Sequence, residues 1–271
     1  MLRVFTEYCL RGFDLLSDLQ DDLVRGAIFT TLVHDQAGMP GRAPVRIREL
    51  ARRLGTPYET VRRQVIELVR AGQCREEGGG IMVPAAVRRS RRVAAFLRRL
   101  YLNTTRVLVD LTRVGMVRYG MKSSGLPRSG RLEKEQVAIA RAGTAALLAG
   151  LKAMRTYWRG AMTKGLVYTA IWTANVKHVT NTATAGTRGL LQDKSRLPVN
   201  VMAIAQSLRL PYETVRRHAQ ALLKEGLCVR VGKGGLIVPA ATHRRLAEGS
   251  LVAYRLMVDF LADLRQAGIR V

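Results

Sequence analysis

The chain is patterned for helices over most of its length. From Pro44, "PVRIRELARRLG" places Val45, Ile47, Leu50, Ala51 and Leu54 at the spacing of a helix with one buried face. After a tight turn at Gly55, Val61, Val65, Leu68 and Val69 form the apolar stripe of a second helix, leaving Tyr58, Thr60, Arg62, Arg63 and Gln64 largely on its other faces. The start of that helix reads as a capping box. Thr56 is the N-cap, Pro57 takes the first helical position, and Glu59 at the third can reach back to the cap. A short apolar run, a Gly-rich tip and another apolar run then predict a β-hairpin over 73–83.

The same order returns later. "PYETVRR" stands at Pro57 and again at Pro211, an offset of 154 residues (211 − 57). Around it, Val199, Val201, Ile204, Ala205 and Leu208 repeat the first apolar face, and Gly226, Cys228 and Pro239 answer Gly72, Cys74 and Pro84 in a second hairpin over 227–238. Upstream, "GAIFTTLV" at Gly26 matches "TAIWTANV" at Thr169, which implies an extra loop in the second copy. Downstream, "VLVDLTRVGM" at Val107 matches "FLADLRQAGI" at Phe260, so each unit ends in a further helix. Residues 1–118 and 157–271 read as the two units. Residues 119–156 read as a polar linker followed by a connecting helix with no clear twin. Tyr157, Trp158, Tyr168 and Trp172 cluster ahead of the second motif, where they could line a pocket between the units. In this register, however, Trp172 falls on Phe29, and a position aromatic in both copies reads as core.

A helix, a tight turn, a second helix and a hairpin resemble the winged helix-turn-helix domains of bacterial transcriptional regulators of the IclR, GntR and MarR kind. The resemblance covers roughly 22–92 and 164–247 and stops at the DNA-binding module. It implies a mainly α fold with small β-hairpin wings, two such domains in tandem joined by helices. It also implies recognition helices that begin at Pro57 and Pro211 and enter the major groove. The side-chain chemistry agrees. Arg62, Arg63, Arg216 and Arg217 can grip guanine or phosphate, while Tyr58, Thr60, Gln64, Tyr212, Thr214 and His218 can bond at the groove edge, with Arg46, Arg230 and Lys233 as flanking cations.

Charge sharpens this picture. The 45 basic residues against 20 acidic ones give a formal charge of +25, which calls for a polyanion, and double-stranded DNA is the default. The copies differ in where that charge sits. The first carries Arg46, Arg48, Arg52 and Arg53 where the second has Asn200, Met202, Gln206 and Ser207, whereas its hairpin holds Arg75, Glu76 and Glu77 against Arg230 and Lys233. In the second copy Arg209 and Leu210 replace Gly55 and Thr56. That substitution is expected to strain the turn by about 1 kcal/mol and to remove the helix cap.

Other chemistry is not indicated. Three scattered cysteines and four scattered histidines suggest neither a disulfide framework nor a metal site, and "GLPRSGRL" lacks the Lys and the hydroxyl of a phosphate loop. No catalytic residue, cofactor or membrane partner is expected, and the cytoplasm, at the bacterial nucleoid, is the expected location. The reading at this stage is a sequence-specific transcriptional regulator, with a dimer doubling its site. Its rivals are a replication initiator resembling the plasmid type and a winged-helix scaffold for protein partners.

Overall fold

The computed structural model of the chain describes residues 2–36, 43–120, 132–178, 191–232 and 234–271. Most of the linker, with all of "GLPRSGRL" except Leu132, and most of the extra loop of the second copy therefore lie outside the described residues. The architecture is mainly helical with two small antiparallel hairpins. The first half runs α1 (Leu2–Gln20), α2 (Leu23–Gln36), α3 (Ile47–Leu54), α4 (Tyr58–Arg70), β1 (Arg75–Glu77), β2 (Gly80–Met82), α5 (Ala85–Arg88) and α6 (Arg91–Arg113). The second half repeats the order as α7 (Lys134–Tyr157), α8 (Met162–Asn175), α9 (Val201–Leu208), α10 (Tyr212–Lys224), β3 (Val229–Val231), β4 (Gly235–Ile237), α11 (Ala240–Arg245) and α12 (Ala247–Gln266). The segment without a visible twin, α7, thus holds the place of α1.

The hairpins are built alike. Arg75 pairs with Met82 and Val229 with Ile237, and a residue before the third helix of each half, Val45 on Ile81 and Val199 on Leu236, bridges to the other edge of β2 and β4 as a one-residue third strand. Glycine is needed where that residue approaches. A Cβ on Gly80 would come within 2.8 Å of Pro44, and one on Gly235 within 2.5 Å of Pro198.

An amide at the end of the second helix of each half locks the hairpin to it. The Gln36 side chain accepts from the Val83 N–H at 2.9 Å and donates to the Ile81 carbonyl, while Asn175 accepts from the Val238 N–H at 2.8 Å and donates to the Leu236 and Leu197 carbonyls. This shared role sets the register of α2 on α8 and corrects the one read from sequence by four residues, one helical turn. Gly26 matches Gly165, Thr30 matches Thr169, Tyr168 is the counterpart of Phe29, and Trp172 falls on Val33. Matching "AI.T" fragments had produced the shifted alignment. The extra loop of the second copy is accordingly longer than expected.

The two cores are unequal. One belongs to α8, α9, α10 and the second hairpin, with Val167, Ile171, Val215, Leu222 and Leu236 at its centre. The other joins the whole first half to α7 and α12, so Met257, Phe260, Leu261 and Leu264 of the last helix are buried away from their own unit. Helices α1, α6, α7 and α12 form the shared centre, where Phe5, Tyr8 and Phe260 stack and the Tyr8 hydroxyl donates to the Gly143 carbonyl at 2.8 Å. Contacts across it are reciprocal. Gly12 of α1 lies against Leu147 of α7, and Gly150 of α7 lies against Cys9 of α1, which is the signature of an approximate two-fold relation between the halves. Among the described residues α7 alone is long and apolar enough to span a membrane, and half of its apolar window is buried inside the fold.

Candidate nucleic-acid interface

The turn before α4 reverses the chain through a left-handed residue, Gly55 at φ 58°. In the second half Arg209 adopts the same conformation at φ 51°, and the α9–α10 turn superposes in kind on the first. The capping box expected at Thr56 is absent. The N-caps are Pro57 and Pro211, with extended backbone and no side-chain bond, and the Thr56 hydroxyl instead bonds the Leu54 carbonyl at 3.3 Å. Because proline holds the N-cap in each copy, the residue before it is free to vary, and Leu210 removes no cap. Half-buried, it packs against the core of its unit. Glu59 and Glu213 occupy the first turn, where a carboxylate suits the positive end of the helix.

The polar face of α4 is repeated on α10. Tyr58 is 43% exposed and Tyr212 41%, so both rings stand in solvent at the same point of the helix. Arg62 and Arg63 are exposed, as are Arg216 and Arg217, with Thr60 and Thr214 half-buried at their base. Each arginine pair divides its labour. Arg62 lies 3.4 Å from Glu59 and Arg216 lies 2.8 Å from Glu213, whereas Arg63 and Arg217 have no ion-pair partner among the described residues. Exposed pairs three residues apart contribute under about 1 kcal/mol, so Arg62 and Arg216 can exchange their glutamates for phosphate or a base.

The neighbouring position differs between the copies. Gln64 accepts from the Arg25 guanidinium at 2.8 Å, and its counterpart is His218. Burial, then the nearby charges of Arg217 and Lys164, hold the His218 imidazole below its ordinary value. In the corrected register Arg25 and Lys164 are themselves counterparts. Both sit at the start of the second helix of their half, beside the exposed helix; Lys164 is held by Glu225 at 2.9 Å. Sequence reasoning missed both cations because the shifted alignment separated them.

Flanking positions complete the surface. Arg46 is the N-cap residue of α3, exposed, with no side-chain bond to the helix, although its twin Asn200 caps α9 by accepting from the Ala203 N–H at 2.7 Å. A cation at a helix N-terminus opposes the dipole and forgoes the cap. Arg48 is also exposed. Arg52 pairs with Glu49 at 2.6 Å on the surface, an exchangeable pair like that of Arg62, whereas Arg53 binds Asp35 in α2 and belongs to the fold. Burial raises the Asp35 carboxyl, but His34 at 3.7 Å and the hydrogen-bonded Arg53 guanidinium outweigh it and hold the group well below the carboxylate range.

On the hairpins, Arg75 is neutralised by Glu77 at 2.6 Å, Arg230 is exposed between Val229 and Val231, and Lys233 lies outside the described residues. The first hairpin is thus acidic at its tip and the second basic.

Arg209 has a further task. Its guanidinium lies 3.4 Å from Asp14 and bonds Asp18 at 2.8 and 3.0 Å, while Asp18 also accepts from Arg99 of α6 at 2.8 Å. Opposite, Gly55 faces Lys152 and Thr156 of α7. The left-handed arginine is therefore one side of a reciprocal contact between each turn and the central helix of the other half.

Among the described residues no cluster of His, Cys, Asp or Glu could hold a metal ion, and burial pushes the Cys9, Cys74 and Cys228 thiols up to about 12. No protein-family model, no curated protein and no solved structure matches this chain.

Proposed function

We propose that this chain is a sequence-specific binder of double-stranded DNA, a transcriptional regulator with two winged helix-turn-helix modules whose recognition helices are α4 and α10. The observation that carries the reading is the repetition of one exposed Tyr, Arg, Arg face, with a half-buried Thr at its base, on the same backbone in both halves of a chain with a charge of +25. Exposed helix positions have no packing reason to agree, and a common ligand supplies one. On DNA, Arg63 and Arg217 reach into the major groove, Arg62 and Arg216 exchange Glu59 and Glu213 for phosphate or guanine, and the tyrosines bond the groove edge. The uncapped Arg46 meets phosphate at the start of α3, and Arg230 on the second hairpin follows the backbone.

The reciprocal packing of α1 and α7 supports a more specific statement. Two modules related by an approximate two-fold read an inverted repeat, with half-site centres about 10 base pairs apart or a multiple of that. Selection from a randomised duplex pool, followed by fluorescence anisotropy, tests both parts. We expect enrichment of an inverted pair and a loss of affinity of about a hundred-fold or more when Arg62, Arg63, Arg216 and Arg217 are all changed to Ala. Undiminished binding by that variant would remove α4 and α10 from the interface, and a directly repeated motif would sink the two-fold reading. Genome-wide occupancy then separates promoters from the iterated origin repeats of an initiator.

A further inference from the structure

Against the central helices lies a half-open cavity of about 140 Å³, walled by α1, α7, α8 and the start of α12. A smaller one of about 60 Å³ occupies the matching place in the first half, between α7, α2 and α6. The two are twins of the duplication. In the register fixed by Gln36 and Asn175, Thr30 and Val33 of the small cavity answer Thr169 and Trp172 of the large one. In the register of the terminal helices, where the left-handed Gly115 and Gly268 correspond, Phe96 answers Gly249 and Leu97 answers Ser250. One turn further, the fully buried Leu100 answers Ala253, which lines the large cavity.

Phe96, Leu97 and Leu100 fill the first half. In the second half Ser250 and Ala253 open the space, and the Tyr157 ring takes the place beside Gly249. Native interiors close such space because each lining atom loses its partners. Here the space is kept and rimmed by aromatic rings, with Tyr157 to Trp158 at 5.9 Å and Trp158 to Tyr168 at 5.3 Å between centroids. Among the described residues no charged one lines it, in a chain with 65 charged side chains counted as 45 basic and 20 acidic. The Ser250 and Thr169 side chains supply hydroxyls at the wall.

From this pairing we propose that the second-half cavity is a binding site for an uncharged aromatic small molecule of about one ring. A cavity of this volume accommodates a single ring, aromatic walls favour edge or offset contact with it, and the lack of a countercharge among the described lining residues disfavours an acid or an amine. The inference concerns binding to the protein alone and does not depend on the DNA reading.

The test uses the full chain without DNA and three ring compounds of one size: benzyl alcohol, benzoate and benzylamine. The chain's two tryptophans, Trp158 and Trp172, both line the cavity, so intrinsic fluorescence reports on the site directly. Benzyl alcohol is expected to give a saturable change and the two ions none at equal concentration. Ala253→Leu, which restores the first-half residue, is expected to weaken benzyl alcohol by roughly ten-fold or more. Ser250→Leu is the independent second filling, and circular dichroism identifies which variants retain the fold. An equal response to all three compounds, a response undiminished in the folded filled variants, or no saturable change would each overturn the proposal.

Discussion

The two halves share a backbone plan and use it differently. In the first, the turn between α3 and α4 is a glycine lying on α7; in the second, the equivalent residue is Arg209, reaching Asp14 and Asp18 of α1. The first half fills its inner face with Phe96 and Leu100 and leaves Arg46 uncapped and exposed, whereas the second opens that face and caps α9 with Asn200. A duplicated unit thus keeps what both copies need, the hairpin clamp and the polar face of one helix, and lets contacts with the other copy diverge. What read in the sequence as decay of the second turn is a tie between the halves.

The comparison breaks most sharply at the buried amides. Asn175 makes three bonds to backbone groups, two of them holding its hairpin, so Asn175→Ala should cost about 3 kcal/mol in urea unfolding and Gln36→Ala about 2 kcal/mol. Equal costs would mean that the two clamps carry the same load. Next come the arginine pairs taken one half at a time. The first hairpin ends in Glu76 and Glu77 and offers no substitute, so Arg62→Ala with Arg63→Ala should weaken specific DNA binding by about 100-fold, and Arg216→Ala with Arg217→Ala by about 10-fold. The reverse order would make the second half the principal reader.

A smaller effect separates stability from binding at the α3 N-terminus. Arg46→Asn supplies the cap that its twin already has and should stabilise the chain by about 1 kcal/mol. If Arg46 meets phosphate, the same change should make the salt dependence of DNA binding shallower by about 0.9 in logarithmic slope.

The smallest effect is at Arg209. Burial raises the Asp18 carboxyl, but hydrogen bonds from Arg99 and Arg209 bring it below its ordinary 3.8. A depressed carboxyl stabilises the fold above its unfolded pKa, and that contribution is lost as pH falls through the folded value. Burial also raises Asp14, which Arg209 partly offsets, so removing the arginine disfavours ionised Asp14 and acts in the same direction. Melting of Arg209→Gly relative to the natural chain should therefore improve between pH 7 and about pH 2.5, and a difference independent of pH would dissolve the tie.

Much of this was legible in the residues. Period-3.6 stripes located α3, α4, α9 and α10, the Gly-rich tips located both hairpins, and the repeated "PYETVRR" located the face now proposed to meet DNA. The cap of α4 was misread because a Thr-Pro-x-Glu string satisfies the capping pattern on paper, yet the Thr56 side chain is buried and turned to Leu54. The α2 and α8 register was misread because helix faces repeat every turn, so apolar strings match nearly as well when slid by four residues. Only the amide clamp distinguishes the alternatives, and it acts between residues 47 apart in one half and 63 apart in the other.

By itself, then, the sequence determined what is local: amphipathic period, hairpin tips, net charge, and the side chains repeated on one exposed helix face. Tertiary structure decided what depends on residues far apart in the chain. It paired α7 with α1, took α12 out of its own unit into the other core, turned Arg209 toward Asp18, and left the space that Ser250 and Ala253 open. The physical reason is that burial and ion pairing are set by which surfaces meet, and two copies of one unit can meet only after both have folded.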